Sequence, residues 1–149
     1  MANVVPYSFA QELLKGTHDF TSNTIKLALY EAGSGAPYTV SSTAYSSGAA
    51  NQVGTSGTGY STGGNTLTGN AVANQNDVAT VDFTDTSWSS ATFTAAFGVI
   101  YNSSASDKLI VVLDFGGSKS CSNGTFTISF PDPTSGSPAG TDAIISLTS

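Results

Sequence analysis

The stretch VDFTDTSWSSATFTAAFGVIYN, residues 81–102, decides how the chain is to be read. It holds two aspartates, Asp82 and Asp85, the sole tryptophan, Trp88, and a run with period two. Phe93, Ala95, Phe97, Val99 and Tyr101 fall on one face of that run; Thr92, Thr94, Ala96, Gly98 and Ile100 fall on the other. Successive side chains point to opposite faces of a strand, so the run predicts a β-strand. Whether the aspartate pair is framework or site depends on the rest of the chain.

Working outward, the same period recurs. TIKLALY (24–30) sets Ile25, Leu27 and Leu29 against Lys26, and VATVDFT (78–84) sets Ala79, Val81 and Phe83 against Thr80 and Asp82. KLIVVLDF (108–115) is apolar on both faces until Asp114, which predicts a central strand covered on both sides. TFTISF (125–130) alternates Phe126, Ile128 and Phe130 with hydroxyl residues, and AIISL (143–147) closes the series. NSSASD (102–107) is expected to join two strands as a hairpin loop, and FGGSKSCSNG (115–124) to join the next two. No helical pattern of useful length separates the runs, so a parallel sheet with crossover helices is not expected. The expected fold is mainly β: one domain over 1–149, an antiparallel β-sandwich with jelly-roll connections as one option.

Two segments stand apart. Within the N-terminal arm, 1–23, Ser8 and Gln11 have the spacing of a capping box and Gly16 suits the residue after a helix end. A short helix follows, with Phe9 and Leu13 on one stripe and Ala10 and Leu14 beside them. Such a helix is marginal alone and must dock, either over its own domain or on a partner. Tyr7, Phe9, Leu13 and Leu14 are therefore the candidate partner-binding residues. The second segment, 33–76, is nearly charge-free and crowded with Gly, Ser, Thr and Asn. Tyr38, Tyr45, Val53, Tyr60, Leu67 and Val72 recur through it as isolated anchors. It reads as an ordered excursion laid over a surface, and ordering on contact with a partner is expected.

Of the 149 residues only 9% are charged, against the usual quarter, while 16 are glycine and the net charge is −6. All four basic residues are lysines, Lys15, Lys26, Lys108 and Lys119, too scattered for the phosphate footprint of nucleic-acid binding. Cys121 is alone, so neither an internal disulfide nor a thiolate cluster can form. The start MANVVPYSFAQELLKG has no signal-peptide pattern, and no run approaches the ~18 apolar residues of a membrane span. Neither membrane nor nucleic acid is an expected partner.

The chemically suggestive residues read as structure. His18, the one histidine, stands beside Asp19, but adjacent side chains diverge and no GxSxG elbow supplies a nucleophile. A turn is expected there, with Asp19 bonding backbone amides. Asp82 is expected to face solvent, and Asp85 to make a local turn through its carboxylate. Convergence of Asp82, Asp85 and Asp114 on a sugar or on calcium remains the alternative, although no calcium loop is present. Trp88 is expected to plug one end of the core just before the strong strand. The sequon matches at Asn102 and Asn123 are chance. No catalytic residue, cofactor site or metal site is assigned.

Taken together, GTHDFTSNTIKLALYEA, GTGYSTGGNTLTG, VDFTDTSWSSATFTAAFGVIYN, LIVVLDFGG and GTFTISFP resemble a group of small virion structural proteins of tailed bacteriophages. The resemblance runs from His18 to Pro131, and its motifs are specific in combination rather than singly. It implies a non-enzymatic part of the particle, assembled in the host cytoplasm. Within that class a capsid cement, or decoration, protein is expected, a homotrimer that clamps the major capsid protein. The alternatives are a tail- or fibre-associated protein and a carbohydrate-binding sandwich using exposed aromatics such as Tyr60 or Trp88.

Overall fold

The computed structural model describes residues 3–33, 35–75, 77–132 and 144–148. Helix α1 (Tyr7–Leu14) leads into β1 (Ile25–Tyr30); β2 (Asn65–Thr66), β3 (Ala71–Gln75) and β4 (Val78–Asp82) follow the long excursion. A hairpin of β5 (Thr86–Asn102) and β6 (Lys108–Ile128) comes next, and β7 (Ile145–Thr148) is last. The strands form two antiparallel sheets, β2-β1-β5-β6 and β3-β4-β7. The chain is mainly β with one short N-terminal helix, and its two sheets enclose the larger core in a sandwich-like arrangement. Phe20, Leu27, Val81, Phe83, Ile100 and Ile110 are among the side chains that fill that core.

The β5–β6 hairpin departs from the expected connections. FGGSKSCSNG is not a connection between two strands: β6 continues through it for 21 residues against the 17 of β5, with residues 115–118 bulged out between the pairs Phe97–Asp114 and Ala95–Lys119. Gly116 and Gly117, with φ of 70° and 128°, are accommodated inside the strand rather than in a turn. Trp88 likewise lies within β5, opposite Phe126, and not before it. NSSASD does close the hairpin, as a 3-10 turn followed by left-handed Ser106 and Asp107.

Irregular register also corrects the face assignments. A shift between Ala95 and Phe97 moves the second half of β5 to the opposite face. Phe93, Ala95 and Ile100 therefore enter the larger core, while Ala96, Phe97, Val99 and Tyr101 enter a second core on the far side of the sheet. In β4 the alternation is reversed at one step: Thr80 is buried, its hydroxyl donating to the Ala73 carbonyl at 3.3 Å, and Ala79 is exposed.

The apolar start of β6 is buried on both faces, yet β6 is an edge strand. Its edge is closed instead by two isolated bridges, Val4 to Val112 and Ala44 to Lys108. Val4 and Val112 exchange both backbone bonds at 2.8 Å, which satisfies an edge that would otherwise invite another strand.

The glycine- and serine-rich excursion covers the second core. Tyr38 packs edge-on against Tyr30, and Tyr45 stacks on Tyr101 with ring centroids 4.1 Å apart. The segment then crosses the edge of β1, where Val53 N donates to Leu29 O at 3.0 Å, and inserts Tyr60 and Leu67 into the larger core. Five of the six expected anchors are thus used on the chain's own sheet; Val72 is exposed. The tyrosines of the segment pack their rings on the chain's own sheet. Gly64 permits the return to β1: its φ is 70°, and a Cβ there would overlap the Leu27 carbonyl.

Candidate functional site

The expected docking helix forms, with a different start. Pro6 occupies the N-cap and makes no side-chain bond, and the Ser8 hydroxyl lies inside without a partner among the described residues. The capping box is therefore absent: the helix begins at Tyr7, so Ser8 is its second residue rather than its cap. The end is as expected. Gly16, at φ 67°, donates to Leu13 O at 3.0 Å and Thr17 donates to Glu12 O at 2.9 Å, the paired bonds of a glycine-terminated helix.

The helix carries two neighbouring apolar stripes. Phe9 is 5% exposed within the larger core and Leu13 packs against it, so these two hold the helix to its own domain. Phe9 is not available to a partner. Tyr7, Ala10 and Leu14, spaced i, i+3, i+7, form the second stripe and face out, with Tyr7 72% and Leu14 92% exposed.

Beside that stripe the surface remains apolar. A cleft of about 310 Å³ is lined by Val5, Phe9, Ala10, Leu13, Ile110 and Leu147, among others. A smaller cleft of about 150 Å³ continues it past Leu13 and Leu147 to Val72. Val40, another exposed apolar residue, is tied to the helix start by a bond from Tyr7 N to Val40 O at 2.8 Å. The exposed large apolar side chains among the described residues are Val5, Tyr7, Leu14, Val40, Val72 and Leu147; Tyr7 and Leu14 lie on the helix, Val5 and Leu147 line the first cleft, and Val72 and Leu147 line the second. On an ordinary monomer such residues are scattered singly. A larger cleft of about 490 Å³ lies against β6, where Leu113, Phe115, Phe126, Ile128 and Phe130 leave the open end of the core, with Lys119 beside them.

His18 is not in an exposed turn but in a buried polar chain that the sequence does not reveal. Its side chain is fully buried. Asn102 Oδ1 accepts from the Ser104 amide at 3.1 Å, which fixes the amide's orientation. Asn102 Nδ2 then donates to Asn23 Oδ1 at 2.7 Å and to His18 Nδ1 at 3.1 Å. With Nδ1 an acceptor, the proton sits on Nε2 and is donated to Glu12 Oε2 at 3.1 Å. Lys108 Nζ closes the chain 3.2 Å from the other Glu12 oxygen. Helix, first turn and hairpin are pinned together here, and no serine or cysteine nucleophile belongs to the set. Asp19 behaves as expected: bonds from the Ser22 and Thr21 hydroxyls and the Thr21 amide hold its carboxyl down to about 2.

Of the aspartates of the opening stretch, Asp85 has a framework role. Asp85 Oδ1 accepts from Phe130 N at 2.9 Å, so it ties the start of β5 to the end of β6 and makes a long-range clamp where a local turn was expected. Asp82 is half-buried rather than solvent-facing, and its Oδ1 has no partner among the described residues. No group of three histidine, cysteine, aspartate or glutamate side chains is placed to hold a metal among the described residues.

Trp88 and Tyr60 are 4% and 3% exposed, so neither is a surface platform. Trp88 packs with Tyr60, Phe93 and Phe126, ring centroids 6.2 to 6.3 Å away, which is the plug the sequence suggested. Tyr60 Oη accepts from Leu29 N at 3.0 Å, and the Gln52 amide oxygen accepts from both Tyr45 Oη at 2.9 Å and Tyr60 Oη at 3.2 Å. Burial pushes the Tyr60 phenol up to about 12 and raises Tyr30 and Tyr101 further.

No helix among the described residues is long and apolar enough to cross a membrane. Compared with protein-family models, curated proteins and solved structures, the chain matches none.

Proposed function

We propose that this chain is a structural protein of a bacteriophage virion, and within that class a capsid cement protein that binds the major capsid lattice. The observation that supports it best is the gathering of exposed apolar side chains around α1 on a surface otherwise built of hydroxyls and glycine. Such a chain has a contact surface, and the role asks no chemistry of it. A protein that binds the assembled lattice but not its separate subunits stabilises the lattice by mass action. Many copies, each held by a modest apolar contact, add through multivalency.

The tail or fibre reading shares the surface and differs in number. The carbohydrate reading loses its two named aromatics, because Tyr60 and Trp88 lie inside. Quantitative mass spectrometry of purified particles separates the remaining two. A ratio to the major capsid protein between about one to three and one to one is expected for lattice cement. A few copies per particle would move the chain to the tail, and absence from particles would overturn the virion reading.

A further inference from the structure

We propose that Asn123 is a site of spontaneous modification: it loses its side-chain amide through a cyclic imide formed with Gly124, and the chain then carries aspartate or isoaspartate there. Of the nine asparagines only Asn123 precedes a glycine. The nitrogen of the following residue is the nucleophile in this reaction, and a glycine puts no Cβ in its way. Elsewhere β6 is a paired strand, but the pairing is interrupted on both sides of Gly124. Gly124 faces Ala91 as a single pair; Ser89 and Ser90 bulge from β5 on one side of it, and Ser122 and Asn123 bulge from β6 on the other. Each bulge holds a residue of positive φ, 50° at Ser90 and 47° at Asn123.

The amide nitrogen of Asn123 is held by a side chain rather than by the strand ladder. It donates to Thr92 Oγ1 at 2.9 Å, while Thr92 N turns to Thr58 O, also at 2.9 Å. The Asn123 side chain is exposed and makes no hydrogen bond among the described residues. Rotation about ψ of Asn123 therefore brings Gly124 N to Asn123 Cγ without breaking a hydrogen bond of that side chain. The Gly124 nitrogen gives up its proton and bonds to Cγ, the Cγ–Nδ2 bond breaks, and ammonia leaves with that proton. Water, the one co-reactant, then opens the imide. Attack at Cγ restores the main chain and leaves aspartate; attack at the main-chain carbonyl leaves isoaspartate, with one extra carbon in the main chain of β6. Either product makes the net charge one unit more negative than −6.

The test is peptide mapping by mass spectrometry on the free full-length chain, incubated in warm, mildly alkaline buffer, with enzymatic methylation of isoaspartate to tell the two acids apart. Both acids are expected at Asn123, formed at a rate within ~100-fold of the chain unfolded in guanidinium chloride. A site that reacted only through global unfolding would be slowed ~1,000-fold or more by the folding equilibrium. Gly124→Ala is expected to slow the reaction at least ~10-fold, because a Cβ then crowds the attacking nitrogen. That Cβ would also lie 3.1 Å from Cys121 Sγ, so Asn123→Gly, which suits the positive φ, serves as a second variant and should abolish the change. Slowing beyond ~100-fold in the folded chain would overturn the proposal, as would aspartate without isoaspartate, which marks direct hydrolysis. An unchanged rate in a folded Gly124→Ala chain, or the same mass change persisting in Asn123→Gly, would overturn it too.

Discussion

Asn102 is the joint of the buried polar chain, and replacing it should be among the costliest polar substitutions in the protein. Its side chain is fully buried and makes bonds to Ser104 N, Asn23 Oδ1 and His18 Nδ1. Asn102→Ala removes all three partners at once and leaves a small polar cavity. At about 1 kcal/mol per bond, with a further contribution from the void, the loss is ~3–4 kcal/mol. For a chain of this size that lowers Tm by roughly 10 °C. Urea unfolding followed by far-ultraviolet circular dichroism reads the free energy directly. Long-range nitrogen–proton NMR reads the imidazole: the parent should show the proton on Nε2, and the variant should lose that fixed tautomer because nothing then donates to Nδ1. A loss below about 1 kcal/mol, or a parent ring protonated on Nδ1, would refute the reasoning.

Three further outcomes follow from features already described. Gly57 and Gly64 share nearly the same φ, 69° and 70°, but a Cβ meets nothing at Gly57 and the Leu27 carbonyl at Gly64. Gly57→Ala should cost only backbone strain, about 1 kcal/mol, and Gly64→Ala at least ~2 kcal/mol more, by denaturant titration. Trp88→Ala should cost ~3–5 kcal/mol and Trp88→Phe under ~2 kcal/mol, and the parent's emission should shift to the red on unfolding because its one indole leaves an apolar cluster. Burial raises the Tyr30, Tyr60 and Tyr101 phenols above their ordinary value, Tyr60 to about 12. Their contribution is fully present below pH ~10 and is lost as pH rises through the folded-state values, so stability should fall between pH ~10 and ~12 as phenolate absorbance appears.

Much of the fold was legible because period two is a local property. The strand runs around Leu27, Val99, Ile110 and Phe126 announce themselves without reference to their neighbours. What stayed hidden depends on the partner strand. The shift between Ala95 and Phe97 changes which side faces in, yet nothing in TFTAAFG marks it, because a bulge is decided by register against β6. Gly116-Gly117 looks like a turn by composition, and only the length of β5 shows that it lies mid-strand. The docking residues were half legible. Spacing found the stripe bearing Phe9 and Leu13, but that stripe was spent on the chain's own core, and Tyr7 and Leu14 alone remain outside. The His18 set was beyond reach for a plainer reason: Glu12, His18 and Asn23 are near neighbours in sequence, but Asn102, 84 residues beyond His18, and Lys108 join them only after the hairpin is laid against β1.

The cover over the second core is fixed at points rather than along its length. Tyr38, Tyr45, Val53, Tyr60 and Leu67 are its fasteners, and between two of them Gly54–Gly57 is exposed, with nothing near the place a Cβ would take at either glycine. Lengthening such a stretch adds only loop-closure entropy, about 0.6 kcal/mol for each doubling, whereas altering a fastener uncovers a whole ring. The Gly54–Gly57 stretch is therefore a natural site for grafting a foreign peptide: the chain can display new sequence there while the sheet beneath remains shut.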